Sequence, residues 1–162
     1  QMNVSDLAEA IKKMSLPYFK FSELPTQPAG GYSSVVINND LAYISGQMPF
    51  FGKDKLYPYN EDFFSEEIGY TASKLAMINV FMQLTNSKQI TDVSSIIKIE
   101  GFFAVNYGFD LPKMLDGASD LVHNLLRTTS HSRAVYGVNS LPYNAIVELS
   151  VIAKVKTNIL KN

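Results

Sequence analysis

The sequence predicts an α+β protein in which helices pack on one face of a mixed β-sheet. Helical and extended periodicities follow each other in the order helix, strand, strand, helix, strand, helix, strand, strand. Hydrophobic residues make up 46% and charged residues 18% of the 162-residue chain, which is ample for one core. No linker, internal repeat or low-complexity tract divides the chain. We therefore expect one domain over residues 1–162, built as two layers.

The first element is predicted to be an amphipathic helix over residues 3–15. Ser5 or Asp6 can cap its first turn, and Pro17 stops it because proline lacks the N–H that a helix interior needs. Residues 16–31 then hold three prolines and two glycines and are expected to form an irregular connector. The apolar stripe of the helix consists of Val4, Leu7, Ile11 and Met14.

A β-hairpin is predicted next, with strands over residues 34–37 and 41–44. Asn38, Asn39 and Asp40 between them favour the positive φ angles of a tight turn. Ser45 and Gly46 then end the second strand.

Gly46 and the segment that follows it each leave two interpretations open. A lone glycine at this place is most often a bulge or a strand end, but it would also let a ligand approach the backbone. Residues 48–65 are aromatic and contain proline and glycine. They form either a packed surface loop or a lid over a pocket.

Two more helices flank the third predicted strand. Ser65 is the expected N-cap of a helix over 65–85, and Glu66 and Glu67 suit the positive end of its dipole. A strand over 96–105 has a nearly continuous apolar tail, which predicts a central position in the sheet. The helix over 111–127 is predicted to bury Leu115, Ala118, Leu121, Val122 and Leu125.

The C-terminal stretch, residues 131–155, contains the chemically most informative pattern. Its second half alternates apolar and polar residues, and Glu148 lies in the middle of that strand. If the two halves pair as a hairpin about Leu141 and Pro142, Arg133 falls near Ser150 and diagonal to Glu148. Two explanations fit: a cross-strand salt bridge, or an arginine that binds a carboxylate beside an acid that handles water. His131 lies two residues before Arg133, so it shares a face with Arg133 as a pocket acid/base or as a hydrogen-bonded interface histidine.

Composition excludes several classes of protein. A net charge of -1 and the absence of a Lys/Arg run argue against binding nucleic acid through phosphate contacts. The chain has no cysteine and two histidines, which leaves no disulfide, thiolate metal site or multi-histidine metal site. No apolar run approaches the ~20 residues of a membrane span. A cytoplasmic protein without metal is expected.

Several motifs in order resemble the RidA family (YjgF-like imine deaminases, formerly labelled endoribonuclease L-PSP). Arg133, Leu141-Pro142 and Glu148 match its C-terminal signature in type and spacing. The start at His131-Ser132-Arg133 is closer to a longer, less characterised branch of that family. The resemblance covers about residues 28–155. Three further stretches are similar to family segments, namely residues 30–33, 41–49 and 116–121.

The resemblance implies a chorismate-mutase-like fold, a homotrimer with pockets between subunits, and hydrolytic deamination of small 2-imino or enamine acids without a cofactor. Arg133 would hold the substrate carboxylate through a bidentate pair, and Glu148 would orient or activate water. Backbone groups at Ser45 and Gly46 would position the substrate, and Tyr32 would close one wall.

Two positions depart from the family pattern. Asp116 stands where an asparagine is expected, and a carboxylate there would repel a substrate acid. Val135 stands where shorter members have a cysteine, which excludes thiol chemistry. A non-catalytic trimer that senses an acidic metabolite therefore remains an alternative. A ribonuclease, suggested only by the old family label, is disfavoured by the charge.

Overall fold

The fold was determined as a computed structural model that describes residues 1–14, 27–51, 54, 56–127 and 130–158. The predicted stop at Pro17 and most of the predicted connector over 16–31 lie outside the described residues. The elements, in chain order, are β1 (Met2–Asn3), α1 (Val4–Lys12), β2 (Val35–Asn38), β3 (Leu41–Gln47), α2 (Glu66–Asn86), β4 (Ile90–Phe103), α3 (Leu111–Leu126), β5 (Ser132–Gly137) and β6 (Val147–Thr157).

The strands form one mixed six-stranded sheet in the order β1-β4-β6-β3-β2, with β5 beside the second half of β4. Only β4 and β5 run parallel; the other pairs are antiparallel. The mixed sheet and the central position of β4 are confirmed. The predicted first hairpin is also confirmed, as β2 pairs with β3 and Asn39 has a φ of 56°.

The helices cover one face of the sheet, as predicted, and a single core lies between the two layers. Along β6 the alternation is regular: the core side chains are fully or nearly fully buried and those between them are more exposed. The predicted stripe of α3 is buried, but α2 departs from a single stripe because every residue from Ala72 to Leu84 except Lys74 is buried. No element of the described part of the chain covers the other face of the sheet, which exposes Val36, Tyr43 and Tyr136.

The predicted C-terminal hairpin is wrong. β5 pairs with β4, where Arg133 is in register with Ile99, and β6 pairs with the opposite edge of β4, where Glu148 is in register with Phe102. The unit β4-α3-β5 is a strand-helix-strand crossover, and such a connection joins parallel neighbours. The turn residues at Pro142–Asn144 do form a short 3-10 turn, but this turn lies on the connection that crosses β4 rather than in a hairpin.

Helix ends were predicted where the cap is local. Ser65 caps α2 by accepting a hydrogen bond from the N–H of Ile68. The cap of α1 is Asn3, which accepts from the N–H of Asp6, and not Ser5 or Asp6 as predicted. Asn3 is extended because it pairs with β4, so the helix begins only at Val4. β4 starts at Ile90, six residues before its predicted first residue.

Candidate functional site

Arg133 lies on the helix-covered side of the sheet and reaches α3. Its Nη1 donates to Oδ1 of Asp116 at 2.8 Å and to Oγ of Ser119 at 3.1 Å. Its Nη2 donates to the backbone carbonyl of Pro112 at 3.3 Å. Arginine carries five N–H donors. Two of them, one on Nε and one on Nη2, therefore have no partner among the described residues and are free to donate to a ligand.

His131 is bound to the same serine. Its Nε2 lies 2.8 Å from Oγ of Ser119, whereas its Nδ1 is buried and has no hydrogen bond within the described part of the chain. The ring also lies 5.4 Å from that of His123. Burial lowers the pKa of His131, and His123 and Arg133 lower it further. The neutral imidazole is therefore favoured next to the arginine.

Asp120 is held one helical turn beyond Asp116. Its Oδ2 accepts a hydrogen bond of 2.6 Å from the hydroxyl of Tyr70 on α2. This bond, with burial and the two nearby carboxylates, raises the pKa of Tyr70 to about 12, so the hydroxyl keeps its proton as a donor. The two helices approach closely because Gly117 has no Cβ; a Cβ there would clash with the carbonyl of Tyr70.

These side chains line a surface cavity of about 380 Å³. Arg133 is the cation of the cavity, and 29% of its side-chain surface is exposed in the ion pair with Asp116. The loop over 48–65 was expected to be either a packed surface loop or a lid, and none of its described residues lines this cavity. In its described part Tyr57, Tyr59 and Phe64 pack against the core, which fits a packed loop. The cavity is lined by Asp116, Ser119, Asp120, His123, Ser130, His131 and Arg133.

Glu148 belongs to a second cluster, on the opposite side of the sheet. Its side chain lies over Gly46, where an added Cβ would come within 2.8 Å of the carboxyl carbon. Glu148 is half-buried, and burial raises the pKa of its carboxyl. No ion pair or hydrogen bond with another described residue compensates that burial. Ser45, which precedes the glycine, donates its hydroxyl to the carbonyl of Ser33 at 2.7 Å.

The predicted convergence of Arg133 and Glu148 on one sheet face is therefore wrong within a single chain, and so is the salt bridge between them. Arg133 is in register with the buried Ile99, and Glu148 with Phe102 on the uncovered face. Tyr32 joins neither cluster; it is 57% exposed and its hydroxyl accepts from the N–H of Ala29 at 3.4 Å. Asp116 and His131 do lie beside Arg133: Asp116 accepts a hydrogen bond from it, and His131 is bound to the same Ser119.

The sequence analysis did not assign Tyr70, Ser119, Asp120 or His123 to the site. A signal for α3 existed in the sequence, because its polar residues recur at the spacing of one helix face. Tyr70 lies on another helix, so no comparable spacing connects it with the site. No group of three or more His, Asp or Glu side chains in the described ranges is arranged to hold a metal ion. None of the described helices is both long and apolar enough to cross a membrane. The polar face of α3 consists of Asp116, Ser119, Asp120 and His123.

The fold and the two clusters define a small α+β protein with an arginine-centred cavity on one side of its sheet and an unpaired glutamate on the other. The model of the family described as "YjgF/chorismate_mutase-like, putative endoribonuclease" matches residues 21–155. The chain belongs to this YjgF/RidA family, as the sequence motifs predicted.

Solved structures agree with this assignment. Atu1372 from Agrobacterium tumefaciens, a protein of unknown function, is 27% identical over 94% of this chain and 95% of its own, with a TM-score of 0.73. A candidate endoribonuclease from Shewanella oneidensis is 26% identical over 94% of this chain and 99% of its own, with a TM-score of 0.78. RidA from an Antarctic Psychrobacter is 18% identical over 86% and 99%, with a TM-score of 0.56, and is similar in fold alone. No curated protein sequence matches the chain.

Proposed function

We propose that this protein hydrolyses small 2-imino acids, and their enamine tautomers, to 2-keto acids and ammonia. The observation that carries the proposal is Glu148: a half-buried carboxyl with a raised pKa and no partner among the described residues. An unpaired buried acid destabilises a fold, so such a group is a candidate for chemistry rather than structure. Family membership supports the same reaction class.

The reaction divides between the two clusters. The free N–H groups of Arg133 bind the substrate carboxylate, and Glu148 accepts a proton as a water oxygen bonds to the imine carbon. The imine nitrogen takes up a proton, the C–N bond of the resulting carbinolamine breaks, and ammonia leaves as the C=O bond of the keto acid forms. Because its pKa is raised, the carboxyl of Glu148 can both accept a proton and donate it again.

A complete site then requires two copies of the chain, because one copy carries the two clusters on opposite faces of its sheet. We propose a homotrimer in which the arginine cavity of one subunit faces the glutamate of the next. The uncovered sheet face supports this arrangement: Tyr43 and Tyr136 are 43% and 46% exposed, and Tyr136 stacks on Phe102 beside Glu148. A monomer in light scattering at micromolar concentration would contradict the shared site.

Glu148→Gln tests the chemistry. The variant keeps the shape and polarity of the side chain but cannot act as a base, so hydrolysis should fall by a factor on the order of 10²–10⁴. The substrate, 2-aminoacrylate, is generated in situ, and ammonia or keto acid is measured beside a melting curve. The melting temperature should stay unchanged or rise slightly, because the change removes a half-buried charge that has no partner.

A sensor of acidic metabolites is the second candidate, and the separation of Arg133 from Glu148 within one chain favours it, because the arginine cavity can bind an acid without the glutamate. It predicts that the parent protein binds a small carboxylic acid but hydrolyses no imino acid. Normal hydrolysis of the imino acid by Glu148→Gln would contradict the role of Glu148 as the base.

A further inference from the structure

Two carboxylates, Asp116 and Asp120, line the cavity beside Arg133. Asp116 uses Oδ1 for Arg133, and Asp120 uses Oδ2 for Tyr70, while the second oxygen of each has no hydrogen bond with a described residue. Two carboxylates and one guanidinium line the cavity, so its charged side chains other than the two histidines sum to one net negative charge. A ligand that brought only a carboxylate would add a second negative charge to this space.

Helix geometry places the second carboxylate at a useful distance. Asp116 and Asp120 are four residues apart on α3, and at 1.5 Å per residue their backbones are separated by about 6 Å along the axis. The hydroxyl of Tyr70 fixes Asp120 through the 2.6 Å hydrogen bond to Oδ2, and Asp120 lines the cavity. A carboxylate bound at Arg133 therefore has an anionic partner for a cationic group several bonds further along the same molecule.

We propose that the cavity selects 2-imino acids whose side chain ends in a cationic nitrogen group, with Asp120 as the residue that binds this group and Tyr70 as the residue that positions Asp120. Among 2-imino acids, those of basic amino acids are thus expected to be hydrolysed more efficiently than small neutral ones. This inference rests on the proposed deaminase function for its reaction, but the charge preference of the cavity is a binding property that can be measured by itself.

Arginine and citrulline are a matched pair for the test, since their side chains have nearly the same shape and differ in charge. A broad-specificity amino-acid oxidase with catalase generates the imine of each in situ, and kcat/KM for hydrolysis is compared. The parent should prefer the arginine imine by at least about tenfold, the effect of about 1.4 kcal/mol of differential interaction. Asp120→Asn should reduce this ratio to within about twofold, and Tyr70→Phe, which changes no charge, should reduce it partly. Asp62→Asn removes an exposed carboxylate that does not line the cavity and should keep the parental ratio.

The affinities for arginine and citrulline themselves are measured by calorimetry. They test the charge preference of the cavity separately from the proposed deaminase reaction. If both imines are hydrolysed equally well by the parent, or the preference survives in Asp120→Asn, the inference is wrong and the deaminase stands. If arginine binds more tightly than citrulline and Asp120→Asn removes the difference, but no imine is hydrolysed, the cavity preference stands and the deaminase fails. If the parent shows neither the binding preference nor hydrolysis, both proposals are overturned.

Discussion

Gly46→Ala is expected to displace the side chain of Glu148 without removing it. The variant therefore tests whether hydrolysis depends on where this carboxyl lies. A Cβ at residue 46 would lie 2.8 Å from the carboxyl carbon of Glu148, 3.0 Å from Oε1 and 3.1 Å from Cγ. Ordinary contact begins at 3.4 Å, so the carboxyl carbon must move by about 0.6 Å or more. The backbone of Glu148 cannot follow, because β6 is paired with β4 on one side and β3 on the other.

The size of the effect follows from that geometry. Every close atom belongs to a flexible, half-buried side chain, so the free energy of unfolding should fall by less than about 1 kcal/mol, below the usual cost of overpacking a core. Hydrolysis is more sensitive, because a misplacement of about 1 Å can cost about 10²-fold in rate. We therefore expect kcat/KM to fall between about tenfold and 10²-fold.

The assay is hydrolysis of an imino acid generated in situ, run beside thermal unfolding. Gly31→Ala is the matched control, because nothing lies within 4 Å of a Cβ at that exposed position. It should keep both activity and stability. Parental turnover in Gly46→Ala would refute the placement of Glu148 at the reacting water.

Three further outcomes are expected. Arg133→Lys should lower hydrolysis at least about tenfold, since an ammonium cannot form the planar bidentate pair, and parental kcat/KM would contradict that role. Asp116→Asn should raise the affinity for pyruvate, measured by calorimetry, up to about fivefold, because the exposed ion pair it removes is worth at most about 1 kcal/mol. The pH profile of kcat/KM should fall on the acid side at a pKa above the ordinary Glu value of 4.5, because burial raises the pKa of Glu148 and hydrolysis needs the ionised form. The free energy of unfolding should change with pH in the opposite direction. Burial favours the neutral carboxyl of Glu148 in the folded protein, so the parent loses stability relative to Glu148→Gln as pH rises from 4.5 through the pKa of the folded state.

Elements with local determinants could be predicted from the sequence. The cap at Ser65, the tight turn at Asn39 and the alternation along β6 depend on residues next to each other, and all three appear in the structure. The family motifs also located Arg133, Asp116 and His131, which do lie together.

The predictions that were wrong or missing depended on contacts between residues that are distant in the chain. Turn residues at 139–144 are compatible with a hairpin, but the pairing of β5 was decided by the crossover through α3 and by the open edge of β4. Because β5 pairs with β4 rather than with β6, Arg133 lies on the side of the sheet opposite Glu148. Tyr70 could not be connected with Asp120 by spacing, because the two residues lie 50 positions apart on different helices.

Mixed oligomers provide the most direct test of the shared site. Arg133→Ala and Glu148→Gln are each expected to be inactive alone, since every site lacks one of the two groups. When the two variants are co-expressed in equal amounts, a subunit with intact Arg133 can face one with intact Glu148, and random assembly restores about a quarter of the sites. We predict recovery toward a quarter of parental hydrolysis in the mixed preparation and none when separately folded variants are combined without exchange. A mixed oligomer that remains as inactive as either variant would contradict a site built from Arg133 of one subunit and Glu148 of another.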